Sequence, residues 1–172
     1  MINYIEKYSP SLYCILGFFC MLLFWFQRIP GCSLKIGTAM PLVLLPAVIT
    51  IACFLREWAG FWFGLFCGIA LDSVLLSSYC FYTLSLAFIG VLSGLTFRFF
   101  MNRNIKAVII AGTLFSLLFF VLKWLFLRVI KGDASLLIFL LKYDIPSALY
   151  SAVFIIPLFY FVRHISKKHI VE

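Results

Sequence analysis

Apolar residues in this chain form long unbroken runs, unlike the one-sided or alternating patterns of soluble proteins. Because a bilayer core of about 30 Å needs about 20 residues of helix, the distance between charges measures each candidate span. Two runs, 8–27 and 36–55, are each 20 residues without a charge. A third run, 58–97, contains a single charge, Asp72, and its 40 residues are long enough to cross twice.

The pattern therefore predicts an all-α, polytopic membrane protein with six transmembrane helices in one bundle. The chain 1–172 is expected to form a single integral membrane domain. The turn inside the third run is placed at Ser77-Ser78, and a short apolar stretch within 133–144 lies either at the interface or as part of the last helix. The predicted helices are 9–27, 37–55, 58–76, 80–99, 107–127 and 145–162.

Composition excludes a soluble protein. Apolar residues make up 65% of the chain, charged residues only 12%, and the mean hydropathy is +1.15. So few polar side chains cannot cover a water-facing surface. The net charge of +8 does not indicate nucleic-acid binding, because the cations stand singly at the ends of apolar runs. The six cysteines fall mostly inside these runs and are interpreted as small apolar side chains.

An even number of spans puts both termini on one side of the membrane. Cytoplasmic loops are enriched in Lys and Arg, and cytoplasmic termini give the larger set of cations to that side. This set is Lys7, Arg56, Arg98, Arg103, Lys106, Arg163, Lys167 and Lys168. The opposite set is Arg28, Lys35, Lys123, Arg128, Lys131 and Lys142. Both termini are therefore predicted to be cytoplasmic.

Small residues recur every four positions in the third predicted helix, so they rotate only about 40° from one to the next and form one ridge. The fourth helix carries a shorter version. Such ridges let helix backbones approach closely in lipid, either within the protein or with a partner's helix. Asp72 is either a polar anchor for the backbone near the turn or an ion-coupled site. The candidate residues are Gly60, Gly64, Gly68, Asp72, Gly90 and Gly94.

Motifs for catalysis, nucleotide binding or metal binding are not found in the sequence. His164 and His169 are five residues apart and so do not share a helical face, and a metal site would need further ligands. We expect a protein that is not an enzyme and that has no cofactor or metal.

Several segments together look like the MreD family of rod shape-determining membrane proteins. They are 34–37, 56–60, the glycine-rich run 64–73 that ends Leu-Asp-Ser, 86–94 and 145–150. The chain resembles a divergent member, since that family usually has a Pro- or Gly-bearing turn after the aspartate. Here the corresponding segment is Ser77-Ser78-Tyr79-Cys80-Phe81.

The resemblance implies a non-enzymatic scaffold of the bacterial elongation machinery in the cytoplasmic membrane. In that family the protein binds the membrane-anchored MreC, and together they connect MreB filaments to a SEDS glycosyltransferase and a class B penicillin-binding protein. It also implies a fold similar to the S-components of energy-coupling-factor transporters. The alternative function is therefore a subunit that binds a small molecule such as a vitamin, and a membrane enzyme is the weakest reading.

Overall fold

The structure is a computed structural model that describes residues 7–8, 10–28, 42–75, 80–99, 105–126, 147, 151, 153–168 and 170–171. Within these ranges the chain is helical apart from one pair of two-residue strands, so the predicted all-α class is correct. The elements are β1 (Lys7–Tyr8), α1 (Pro10–Arg28), α2 (Leu44–Leu75), α3 (Phe81–Phe99), α4 (Ile105–Trp124), α5 (Ile155–Lys168) and β2 (Ile170–Val171).

Three of the described helices are long and apolar enough to cross a membrane: Leu44–Val74, Phe81–Phe99 and Ile105–Trp124. Two shorter apolar helices, Ser11–Gln27 and Ile155–Ser166, accompany them. This supports a membrane protein, but the number of long spans is below the six that the sequence predicts. Part of the difference is geometric, because α2 counts once although it is bent inside. The predicted turn at Ser77-Ser78 and the stretch 133–144 lie outside the described residues.

Helix α2 is interrupted at Arg56, whose backbone torsions are φ 77° and ψ −178°. A Cβ placed on Gly60 would lie 2.7 Å from the Cβ of Ala52, whereas eight residues of straight helix span about 12 Å. The chain therefore folds back at Arg56, and its first arm, 44–55, lies against its second arm, 57–75. This break falls between the second and third helices predicted from the sequence.

The first arm of α2 forms the centre of the molecule. Every residue from 44 to 55 is buried, and most of its side chains have no exposed surface. Phe54 packs against Phe159 of α5 with ring centroids 5.3 Å apart, and the backbone N–H of Leu42 donates to Ser151 Oγ at 3.1 Å. The first arm and α5 thus run in the same direction, and all five helices contribute to one main hydrophobic core.

Contacts between side chains give the directions of the remaining helices. Tyr82, at the start of α3, meets Phe119 near the end of α4 at a centroid distance of 6.1 Å, so these helices are antiparallel. Helix α1 runs in the same direction as the second arm of α2, because Gly17 lies beside Phe63 and Cys20 lies within hydrogen-bond reach of Cys67. The two strands pair antiparallel, with Lys7 opposite Val171 and Tyr8 opposite Ile170, which brings the two ends of the chain together.

These directions give the bundle two ends with different chemistry. At one end lie the bend in α2, the last turn of α3, the first turn of α4 and the last part of α5; we call it the basic end. At the other, α2 ends and α3 begins; we call it the turn end. The described cations of the basic end are Arg56, Arg98, Lys106 and Arg163.

Candidate functional site

The most specific structure in the molecule is the antiparallel contact between the second arm of α2 and α3, which we call the glycine seam. In α2 a glycine every fourth residue leaves one face of the helix without side chains. Because Cβ atoms normally keep helix axes 8–10 Å apart, their absence allows a closer approach. All six candidate residues predicted from the sequence lie in this seam: Gly60, Gly64, Gly68, Asp72, Gly90 and Gly94.

The seam is tight along its whole length. A Cβ placed on Gly64 would lie 2.6 Å from the carbonyl oxygen of Leu86, and one on Gly68 would lie 2.9 Å from that of Tyr82. A Cβ on Gly60 would lie 2.9 Å from the carbonyl carbon of Gly90. These separations are below any real Cβ contact, and the opposing atoms are backbone atoms that cannot turn aside. The seam therefore requires glycine on the α2 side.

At the turn end, Asp72 closes the seam with hydrogen bonds to the start of α3. Its carboxylate accepts from the backbone N–H of Tyr82 at 3.2 Å, from that of Thr83 at 2.8 Å and from the Thr83 hydroxyl at 2.6 Å. The first N–H groups of a helix have no partner within the helix, and a carboxylate near them also meets the positive end of the helix dipole. Asp72 thus caps α3 across the turn, as the backbone-anchor reading predicts.

At the basic end, Glu57 closes the seam with an ion pair. Its Oε1 accepts a hydrogen bond from Arg98 Nη1, and its Oε2 lies 3.8 Å from Arg56 Nε. A Cβ on Gly94 would lie 2.6 Å from the Cα of Glu57, so the carboxylate begins where the helices already touch. The Glu57 side chain is only 14% exposed, whereas those of Arg56 and Arg98 are 42% and 44% exposed.

The sequence pattern did not indicate a site role for Arg56, Glu57, Thr83 or Arg98. In an antiparallel hairpin, residues at equal distances from the turn face each other. Applied to the predicted turn at Ser77-Ser78, that rule pairs Asp72 with Thr83 and Glu57 with Arg98. The predicted position of the turn was therefore enough to indicate both pairs. Charge alone did not reveal it, because any cation next to an apolar run is expected to anchor the helix end.

The candidate glycines contact the chain's own helices in this structure. The ridge of α2 is covered by α3, and Gly90 and Gly94 of α3 are covered by α2. A partner's helix cannot occupy the same ridges while the seam is closed. Surface for a partner must therefore be sought on the outer faces of the bundle.

Two open grooves lie on those outer faces. The first, which we call the aromatic groove, runs between α1 and the second arm of α2 and has a volume of about 490 Å³. It is lined by Tyr13, Gly17, Trp58, Trp62, Phe63 and Phe66, among others. The second has a volume of about 560 Å³, and its lining includes Phe61, Leu65, Leu84, Phe88, Leu122 and Phe126.

Within the described ranges, no three His, Cys, Asp or Glu side chains come together as a metal site. Cys20 and Cys67, both buried, are close enough for a hydrogen bond between their thiols at the contact of α1 with α2. The fold and its seam define a helical integral membrane protein whose polar side chains tie helices to one another.

A family model agrees with this class. The model described as rod shape-determining protein MreD matches residues 6–169. The chain belongs to the MreD family. Comparison with curated proteins gives no match, and comparison with solved structures gives none either. The resemblance drawn from the sequence is therefore confirmed, and the family implies a membrane protein with a role in determining rod shape.

Proposed function

We propose that this protein is a non-enzymatic scaffold of the bacterial cell-elongation machinery. In this proposal it binds an MreC-like membrane-anchored protein, and through it links MreB filaments to the SEDS glycosyltransferase and the class B penicillin-binding protein that build peptidoglycan. It acts in the cytoplasmic membrane as one integral domain, and no cofactor takes part.

The family match over residues 6–169 carries the proposal, because it spans nearly the whole chain. The charges of the glycine seam agree with a structural role. Asp72 is bonded to the start of α3, and Glu57 is paired with Arg98. Both carboxylates are therefore committed to holding the bundle together.

We also propose six membrane passes with both termini in the cytoplasm. Supporting this, α1, the second arm of α2 and α4 run one way, while the first arm, α3 and α5 run the other. The two ends of the chain pair as β1 and β2. Four described cations lie at the same end, and this supports a cytoplasmic position for that end because cytoplasmic loops are enriched in Lys and Arg.

No specific observation favours the alternative of a vitamin-binding subunit. A small-molecule site needs several convergent polar groups to orient its ligand. The aromatic groove and the second groove are lined almost entirely by apolar and aromatic side chains. Saturable binding of a vitamin by the purified protein would support that alternative instead.

Photo-crosslinking in native membranes tests the scaffold. A photoreactive amino acid is placed singly at outward-facing positions in α3, in α4 and just before α5, namely Leu84, Leu114 and Val153, which are 59–68% exposed. We expect at least one face to capture an MreC-like protein. The matched control is Ile49, which is fully buried and should capture nothing from another chain.

Depletion of the protein supplies the functional test. We expect cells to widen and lose rod shape, and the wild-type gene to restore both. Normal width after depletion, or the absence of an MreC-like protein from every outward-facing crosslink, contradicts the scaffold.

A further inference from the structure

Two cysteines that are far apart in the sequence meet inside the bundle. Cys20 of α1 is 1% exposed and Cys67 of the second arm of α2 is 2% exposed, and their thiols lie within hydrogen-bond reach of each other. The two helices run in the same direction, with Gly17 beside Phe63 one turn earlier. The pair is therefore a defined contact between two helices, which the separation of the cysteines in the sequence does not reveal.

The contact between α1 and the second arm of α2 is looser than the glycine seam. A Cβ placed on Gly17 would lie 4.0 Å from the nearest atom of Phe63, whereas a Cβ on Gly64 of the seam would lie 2.6 Å from its nearest neighbour. A disulfide requires the two Cα atoms to be about 4.4–6.8 Å apart and the side chains to point toward each other. The hydrogen bond between the thiols meets the second requirement, and the looser packing lets α1 make the small approach that the first requires.

Both thiols lie at the depth of the lipid tails. Cys20 is midway along α1 (Pro10–Arg28), and Cys67 is midway along the second arm, 57–75. The aromatic groove gives a route to them from the lipid, because its lining includes Gly17 and Phe63, which are about one helical turn, or about 5 Å, from the cysteines. An oxidant that reaches the pair must therefore dissolve in hydrocarbon.

We propose that Cys20 and Cys67 are a site of reversible oxidation, at which a lipid-soluble quinone converts the two thiols to one disulfide. Both S–H bonds break and one S–S bond forms. The two protons and two electrons pass to the quinone, which leaves as the quinol. The disulfide joins α1 covalently to the second arm of α2, and thiol–disulfide exchange with a small dithiol returns the pair to the reduced state. The site does not depend on the MreC-like partner, and its test involves no other protein.

Counting free thiols after oxidation tests the proposal in the full-length protein. All cysteines outside the pair are replaced, by alanine at Cys53 and by serine at Cys14, Cys32 and Cys80. Membranes are treated with tetramethylbenzoquinone, whose fully substituted ring disfavours thiol addition. The protein is then denatured and labelled with a polyethylene glycol maleimide, which slows migration in a gel for each free thiol. We expect the doubly labelled form to be lost to an unlabelled monomer, and dithiothreitol to restore it.

The matched control also has two buried thiols, but they are too far apart to join. It keeps Cys53 and Cys67 and carries Cys20→Ala. Because Ala52 lies beside Gly60 in antiparallel arms, Cys53 is opposite residue 59, about 12 Å along the second arm from Cys67. This distance exceeds the reach of a disulfide, so the control should keep both labels after quinone treatment. Ferricyanide, an oxidant that stays in water, should leave both proteins fully labelled.

The unsubstituted protein supplies a measurement that does not depend on the folding of any variant. After quinone treatment of wild-type membranes, mass spectrometry of a non-reduced digest should detect the peptide containing Cys20 joined to the peptide containing Cys67. Absence of this linked peptide overturns the proposal. Full labelling of the pair after quinone treatment, equal loss of label in the control, or equal oxidation by ferricyanide also overturns it.

Discussion

At the residue scale, Asp72 is a charged group that is costly to insert into a membrane helix but that stabilises the fold through its hydrogen bonds to α3. A carboxylate at the centre of a membrane helix costs about 2.5–3.5 kcal/mol on insertion scales. Asp72 lies only three residues before the end of α2, and its oxygens accept three hydrogen bonds from α3. It therefore satisfies donors that would otherwise be unpaired in an apolar setting.

Replacing Asp72 with alanine should destabilise the protein by about 1–2 kcal/mol, the usual cost of losing a helix cap. Asp72→Asn should cost less, because the amide oxygen can still accept from Thr83. The free energy of unfolding is measured in mixed micelles by titration with a denaturing detergent. Ser73→Ala is the matched control, since its hydroxyl bonds only to the carbonyl of Ala70 in its own helix. A loss no larger than that of the control contradicts the cap.

Arg56 shows what sequence cannot reveal at this scale. The charge marks the boundary between two apolar runs, and the predicted helices end and begin around it. At Arg56 a single residue with positive φ reverses the chain. This reversal depends on three-dimensional packing, since nothing in the local sequence requires a bend. A residue held in this region costs of the order of 1–3 kcal/mol, which the packing around the bend must offset.

At the element scale, the glycine seam makes α2 and α3 one unit. In lipid there is no hydrophobic force between helices, so association depends on van der Waals contact and interhelical hydrogen bonds. Gly64, midway along the seam, allows close van der Waals contact between the helices. Asp72 and Glu57 supply the interhelical hydrogen bonds at the two ends of the seam. The hairpin is held by shape in its middle and by polar bonds at its ends.

Gly64→Ala should therefore destabilise the protein by about 1–3 kcal/mol, the usual cost of overpacking. The new Cβ would press on the carbonyl of Leu86 and force the helices apart. Gly17→Ala is the same chemical change at an open site, where the nearest side-chain atom, of Phe63, is 4.0 Å away. It should be neutral or stabilising by up to about 1 kcal/mol through helix propensity.

Thermal unfolding monitored by circular dichroism in detergent compares the two variants. Equal stability of the Gly64 and Gly17 variants would show that the two helices are not in backbone contact. A selective loss in the Gly64 variant supports the seam.

The four-residue spacing of small residues in α2 was sufficient to predict a packing ridge, because helix geometry alone places Gly60, Gly64 and Gly68 on one face. It could not decide whether that face meets the chain's own helix or a partner's. The structure shows that this face meets the chain's own helix, because Gly90 of α3 is in backbone contact with Gly60. The aromatic groove was not predictable, since it depends on how α1 and α2 are spaced.

At the scale of the whole molecule, the ends of the chain meet. Backbone pairing sets Tyr8 opposite Ile170 at the basic end. Paired residues of antiparallel strands have Cα atoms about 4.5–5.5 Å apart, within the range that a disulfide can bridge. This pairing supports the proposal that both termini face the same side of the membrane.

The double substitution Tyr8→Cys and Ile170→Cys should form an intramolecular disulfide when membranes are treated with a mild oxidant. The native cysteines Cys14, Cys32 and Cys80 are first replaced by serine, and the neighbouring pair Cys20 and Cys67 by alanine, to prevent other pairings. Faster migration in non-reducing gels, reversed by a reductant, measures the bond. The single substitution Tyr8→Cys is the control. Failure of the double variant to form the disulfide would contradict the pairing of Tyr8 with Ile170.

The enclosed first arm of α2 has a consequence for biosynthesis. Residues 42–55 leave the ribosome early, yet their neighbours in the mature fold include Ser151 and Phe159, about a hundred residues later. Until α5 is made, part of the surface of this arm has only lipid or the insertion machinery as its neighbour. A premature stop codon before α5 thus affects more than the last helix. It exposes the first arm of α2, at the centre of the molecule, on the side that α5 covers in the complete protein.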